Sequence, residues 1–307
     1  GRDGSREDVE RAEGSLYDWR LRATMPADIY DKVVIIDIDE KSLKEEGRWP
    51  WGRERMGDLV RKLTDRYQVK VVGMDVVFAE PESQYSMKII ERLSRNEAVQ
   101  SKEMRMLLNR LQPLLDGDQA FAKKMQGRDV VLGYYFKQEG HMEEGIQAGK
   151  LPPPACDLAQ AAEQGMQPKV ASGYGANLPL LQDAAAGGGH FIPNVDSDGI
   201  IRSIPMLMAY QGKCYEALSL AILRRMQHAP QVIVEQSSDA WSRFNLHVGA
   251  IQIPVTANAS ALIPYRGHQG SFPYVSAVDV LKERVAFRKL EGTVALLGTS
   301  AAGLLDL

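Results

Sequence analysis

Two apolar runs, "KVVIIDI" (32–38) and "KVVGMDVVF" (70–78), with a helical pattern between them, constrain this chain more than any other feature. Neither run alternates with polar residues, and both are rich in β-branched side chains, so the strands they form are expected to be buried on both faces. Between them Met56, Leu59, Val60, Leu63 and Tyr67 recur at steps of three and four, the apolar stripe of a helix packed on a sheet. Strand, helix and strand of this kind make a parallel βαβ unit with a right-handed crossover. A third buried strand follows at "DVVLGYYF" (129–136). The expected class is α/β: a mixed, mainly parallel central sheet flanked by helices, with β-hairpins and a long N-terminal helix.

Away from this frame the pattern changes. Residues 86–126 read as helical, with Ile89, Ile90 and Leu93, then Leu107, Leu108 and Leu111, on apolar faces broken at Pro113. Residues 139–189 hold "LPPPA", "GGG" and little periodicity, and are expected to form a long irregular surface excursion. "VDSDG" (195–199) predicts a hairpin in which Gly199 takes a turn conformation that other residues resist. "FNLHVGAIQIPV" (244–255) predicts another hairpin, "SALIPYRG" one more strand and "YEALSLAILRRM" a helix. Ser276 and Asp279 in "SAVDVLKE" have the spacing of a capping box, and "TVALLGTSA" closes as a buried strand.

Composition removes several functions. The 307 residues carry 37 basic and 40 acidic side chains with no long run of one sign, so no broad footprint awaits nucleic acid. No apolar run approaches the ~20 residues of a membrane span. Cys156 and Cys214 are the only cysteines, too few and too far apart for the usual zinc spacings, and they form at most one disulfide. The five histidines make no metal-spaced pair, and no motif asks for a cofactor. Near the N-terminus Val9, Ala12, Leu16, Trp19 and Ala23 trace the seam of a short two-helix packing. That helix either packs on its own domain or enters from a membrane and pairs with a second copy.

Several constellations bear on chemistry. Asp37 and Asp39 leave the first strand and Asp75 lies in the second, so neighbouring parallel strands would gather carboxylates at the carboxyl edge, where open α/β sheets hold ligands. A metal-dependent phosphotransferase needs such a cluster, since carboxylates supply hard oxygen ligands for magnesium, but the lysine and further aspartate expected downstream are not evident. The same carboxylates also serve as acceptors for backbone or arginine donors, or as ligand contacts. Asn194, Asp196, Asp198 and Gly199 match the first half of an EF-hand loop, yet Pro205 stands where the bidentate glutamate belongs. A turn tightened by these carboxylates, with Arg202 as partner, is expected instead. "GTSAAG" (298–303) misses the hydrolase nucleophile turn by one residue and lacks the middle glycine of a dinucleotide loop. Thr299 and Ser300 are left as a loop whose backbone donors would face an anion.

Taken in order, "IDIDEKSL", "GRWPWGRE", "VVGMDVVFAEP", "NVDSDGIIRSIP", "EALSLAI", "PYRG", "FPYVSAVDVL" and "GTSAAGLLD" resemble the second type of CHASE domain, the cyclase and histidine-kinase associated sensory extracellular module. The resemblance covers the chain from about Ser15 onward. It implies a sensor on the periplasmic or extracellular face of the bacterial inner membrane, anchored by segments outside this chain. The output it implies is a cytoplasmic adenylate or guanylate cyclase, with a kinase as runner-up. Residues 1–26 would then be a juxtamembrane helix and 27–307 a single large sensory domain that continues past Leu307. A homodimer through the N-terminal helix is expected, with a small ligand or a periplasmic protein as the stimulus. Gln68 and Val69 stand where members often carry Gly-Ala, and Pro264 stands where Asn is common.

"GRWPWGRE" (47–54) places two of the four tryptophans in the βα connection. Pro50 sets the turn, and Trp49 or Trp51 is expected to cap the sheet over Asp37 and Asp39, with Arg53 reaching one of those carboxylates. The corner either orders the turn or walls a ligand pocket. The ligand-facing residues expected are Asp37, Asp39, Trp49, Trp51, Arg53, Asp75, Arg202, Tyr265, Arg266, Thr299 and Ser300. Three uses of the chain follow: a non-catalytic sensor that biases a two-state dimer, a constitutive dimerisation scaffold, or a metal-dependent hydrolase built on Asp37, Asp39 and Asp75.

Overall fold

A computed structural model of the chain describes residues 17–21, 30–82, 102–103, 106, 116–137, 147–238, 242–267 and 270–301. The seam positions Val9, Ala12, Leu16 and Ala23, the apolar stripe from Ile89 to Leu111, residues 139–146 and the terminus beyond Ala301 lie outside them. The path begins with a helix, α1 (17–21). It continues through β1 (Val33–Ile38), α2 (Glu40–Glu46), α3 (Arg53–Arg61) with a π-helical last turn (Lys62–Arg66), β2 (Val71–Met74), α4 (Gly117–Met125) and β3 (Val130–Lys137). Next come β4 (Gln147–Ala148), α5 (Leu158–Glu163), β5 (Lys169–Val170), β6 (Gly173–Gly175), α6 (Pro179–Ala184) and β7 (Gly187–His190). β8 (Asn194–Val195), β9 (Ile201–Pro205), β10 (Leu207–Tyr210), β11 (Lys213–Glu216) and α7 (Leu218–Met226) follow. β12 (Ile233–Gln236), β13 (Phe244–Val248), β14 (Ile251–Val255), β15 (Ser260–Leu262), β16 (Tyr274–Ser276), α8 (Ala277–Leu281) and β17 (Val294–Thr299) complete it.

Six strands run parallel in the order β16-β1-β17-β2-β3-β7. The mainly parallel sheet is therefore present, but the two strands of the first βαβ unit are not neighbours. β17, the last strand of the described chain, sits between them, pairing Asp37 with Gly298 on one side and Leu297 with Met74 on the other. Nothing local in β1 selects its neighbour, and "VALLGT" is as apolar as "VVGM", so burial of both faces decides which strand fills the central slot.

Side chains alternate across the sheet. Val34, Ile36, Ile38, Val72, Met74, Ala295 and Leu297 face α3 and α4, whose Met56, Leu59, Val60, Leu63, Tyr67, Phe121 and Met125 are fully buried. Full burial of each aliphatic side chain contributes roughly 1.5–3 kcal/mol. On the opposite face Val71, Val131 and Val294 meet Ala221 and Ile222 of α7. That helix lies so close that a Cβ on Gly73 would stand 2.4 Å from Ile222, which accounts for a glycine inside a buried strand.

The expected surface excursion is corrected. Residues 147–190 carry β4 to β7 and two short helices, and β7 joins the parallel sheet alongside β3. Its Ala155, Ala161 and Met166 are buried in a second core with Leu207, Leu220 and Leu246. Short elements of two to six residues leave too little periodicity to be read in advance. A disulfide between Cys156 and Cys214 ties this segment to β11.

"IIRSIPMLMAY" forms two strands in two sheets. β9 pairs with β8 and β15, whereas β10 pairs with β11 and β5, and the switch falls at Pro205 and Met206. Pro205 has no N–H to extend the first ladder, and Met206 N–H donates instead to Ala259 O at 2.8 Å. The hairpin turns are as expected, with Gly199 at φ 79° and Gly249 at φ 58°.

Candidate functional site

The sequence-predicted residues separate into two groups, and most of them satisfy one another. At the carboxyl edge of the sheet, Asp37 is buried and accepts from Ser300 twice: from N–H at 3.0 Å and from Oγ at 2.5 Å. The anion that the "GTS" loop was expected to face is thus a carboxylate of the chain itself.

Asp39 caps α2, its Oδ1 accepting from Ser42 N–H and from Ser276 Oγ, both at 2.8 Å. Burial alone would raise its carboxyl, but these donors outweigh that and hold it below the ordinary carboxylate value. The capping box expected at Ser276 is corrected here. Ser276 makes no cap for α8, and Asp279 pairs with Lys41 at 2.7 Å. An aspartate three residues before a serine at a strand end was a legible N-cap signal; its second donor, from 237 positions away, was not.

Asp75 differs. It follows β2 at the position flanking Gly298, which itself pairs with Asp37, so the two carboxylates stand on the same face with a whole strand between them. The expected contact of neighbouring strands is corrected to a separation of two strand spacings, about 10 Å. The carboxylate of Asp75 has no hydrogen-bond or ion-pair partner among the described residues. Its side chain reaches solvent, yet partial burial desolvates it enough to push its pKa up. Thr299, opposite Ile38 in register, falls on the other face of the sheet from Asp37 and Asp75.

Trp51 is 3% exposed in the main core, its Nε1–H donating to Gly47 O at 3.0 Å, and the half-buried Trp49 packs edge-on against it at 6.2 Å. The pair orders the connection between α2 and α3. Arg53 does not reach Asp37 or Asp39. It donates to Asp118 Oδ1 at 2.9 Å and lies 4.5 Å over the ring of Phe78, because the start of α3 abuts the start of α4. The unfavourable cation at a helix N-terminus is offset by that carboxylate.

The second group surrounds α1. Arg202 is only 7% exposed and holds three carboxylates. It donates to Asp18 at 2.9 and 2.8 Å, to Asp196 at 2.9 Å and to Asp198 at 3.0 and 2.8 Å. These bonds hold Asp198 below the usual carboxylate range. The predicted Arg202 partnership in the turn is present. The calcium fit is not: the guanidinium lies where a cation would, and Asn194 turns away to Ser203, Ser260 and Lys169. Tyr265 Oη donates to Ile201 O at 2.7 Å, and Arg266 lies 4.8 Å over the ring of Tyr30. Tyr17 Oη donates to Ile263 O at 2.7 Å. Sequence reasoning missed Asp18 as a partner, since nothing local links it to a residue 184 positions away.

The CHASE2 domain model matches residues 3–307. The chain belongs to the CHASE2 family. CHASE2 domains are extracellular sensory domains of signalling receptors. No curated protein and no solved structure matches the chain. Among the described residues of this CHASE2 domain, no helix is long and apolar enough to cross a membrane. The N-terminal helix of the CHASE2 domain is fastened by Tyr17 and Asp18, while Trp19 of the predicted seam points away, 67% exposed.

Proposed function

We propose that this CHASE2 domain senses a stimulus on the periplasmic face of the bacterial inner membrane and regulates a cytoplasmic adenylate cyclase through a homodimer of α1. The observation that carries this reading is the division of α1 into two faces. Tyr17 and Asp18 fasten it to β9 and to the strand end after β15, and Trp19 leaves the seam side open. A helix so placed relays any movement of the β8–β9 hairpin to a partner helix and through it to the membrane. The ligand-facing rim in this reading is Asp75, next to the Asp37–Ser300 pair, with Thr299 at the same strand end on the other face of the sheet. Trp49, Trp51, Arg53, Tyr265 and Arg266 act as supports.

A constitutive scaffold is the competing use, and it needs the same helix face but no rim. The hydrolase reading is disfavoured by the strand between Asp37 and Asp75 and by the donors that occupy Asp37 and Asp39. The test is cyclase output from the full receptor with Trp19→Glu and with Asp75→Asn, alongside sedimentation of this chain. Loss of dimer and of control with Trp19→Glu, and loss of control alone with Asp75→Asn, are expected. Normal control in both variants would defeat the proposal.

A further inference from the structure

His190 ends β7 with no solvent exposure, and neither ring nitrogen has a hydrogen-bond partner among the described residues. It pairs in register with Tyr134 of β3, whose Oη is also buried without a partner among the described residues. On the other side a single bridge joins it to Ala217, immediately after β11. The imidazole therefore stands where the parallel sheet meets the β5–β10–β11 sheet, against an aromatic layer of Tyr134, Phe136, Tyr210 and Tyr215.

The groups facing it offer no compensation for a positive charge. Tyr134 from β3 packs against it, and Tyr210 from β10 and Tyr215 from β11 lie beyond Phe136; all three are neutral phenols, their pKa values raised by burial. Glu216, beside Ala217, accepts three hydrogen bonds from Arg224 and is already paired. Buried polar atoms are nearly always satisfied, so an unpartnered histidine at a joint between sheets is a poised element rather than ordinary packing.

We infer that His190 is an acid-responsive latch: its protonation parts the aromatic layer between β7 and the β10–β11 hairpin, making protons a stimulus of this domain. Calling the parting a signal rests on the sensory reading above; the parting itself does not. Burial lowers His190 to about 3 in the closed state. With an ordinary imidazole near 6.5 once open, lowering pH from 7.5 to 5 favours the open form about thirtyfold.

The experiment is hydrogen exchange of this chain at pH 7.5 and 5, corrected for intrinsic rates, for wild type, His190→Phe and His190→Gln. A wild-type rise of about thirtyfold in opening at 187–190 and 207–217, absent from whichever variant folds, is expected. A pH-independent wild type, or an undiminished rise in a variant, would overturn the latch and leave the sensory reading intact. Cyclase output of the full receptor at the two pH values separates the two ideas. Opening with unchanged output supports the latch and overturns its link to signalling.

Discussion

Arg202 and Asp18, 184 positions apart, are joined by two parallel hydrogen bonds of 2.9 and 2.8 Å, and this fork fastens the N-terminal helix to the β8–β9 hairpin. Arginine suits the position because its planar guanidinium serves Asp18 on one edge and Asp196 and Asp198 on the other. Lysine would reach one of them.

Arg202→Met removes the one cation that Asp18, Asp196 and Asp198 share. It is expected to cost about 2–3 kcal/mol in urea denaturation and to speed amide exchange in α1. Asp18→Asn, which keeps the hairpin pairs, is expected to cost about 1 kcal/mol and to loosen α1 only. Equal stability of Arg202→Met and wild type would show that solvent screens the cage.

Asp39→Ala removes the cap of α2 and one bond to Ser276, and about 1 kcal/mol is expected at pH 7. The folded carboxyl lies below its ordinary 3.8. Its contribution is therefore complete above 3.8 and is lost as pH falls through the depressed value. The gap between variant and wild type should close in acid denaturation below that range; a constant gap would mean the cap acts without its charge.

Arg224→Met strands the carboxylate of Glu216, which is buried and whose pKa burial already raises despite the pull of Arg224. A loss of about 3–5 kcal/mol is expected at pH 7. With a raised acid the folded state holds more protons than the unfolded one, so stability falls as pH climbs above the ordinary 4.5. Thermal melts of the variant should be more depressed at pH 8 than at pH 5.

Gln68 occupies the left-handed region at φ 52°, a conformation that favours glycine. Gln68→Gly is expected to raise stability by about 0.5 kcal/mol, since relief of the Cβ clash exceeds the added backbone entropy. A fall in the melting midpoint would show that the side chain packs usefully.

Reduction of the Cys156–Cys214 bridge, which closes 58 residues, is expected to lower stability by about 2–4 kcal/mol in melts with and without reductant. An unchanged midpoint would mean that the second core holds 147–190 in place unaided.

The parallel strands, the α3 stripe, both hairpin turns and the Arg202 turn partnership were legible because each is written within ten to twenty adjacent residues. Met56, Leu59, Val60, Leu63 and Tyr67 are all fully buried on the face their spacing predicts. The short elements of 147–190 were not legible, since two or three residues show no period. Nor was the full burial of His190 legible, because a histidine beside three glycines fits packing or solvent alike and carries no sign of where it will be buried.

Residue pattern alone was enough to specify an α/β chain with doubly buried strands, because periodic burial is a local property of backbone geometry. Tertiary packing decided which strand lies beside which. By placing β17 between β1 and β2 it gave Asp37 to Ser300, kept Asp75 apart and left it without a partner among the described residues. The same long-range packing brought Asp18 to Arg202 and Ser276 to Asp39. A side chain's partner depends on which backbones meet in space, and residues 184 or 237 positions apart carry no mark of each other until the core has closed.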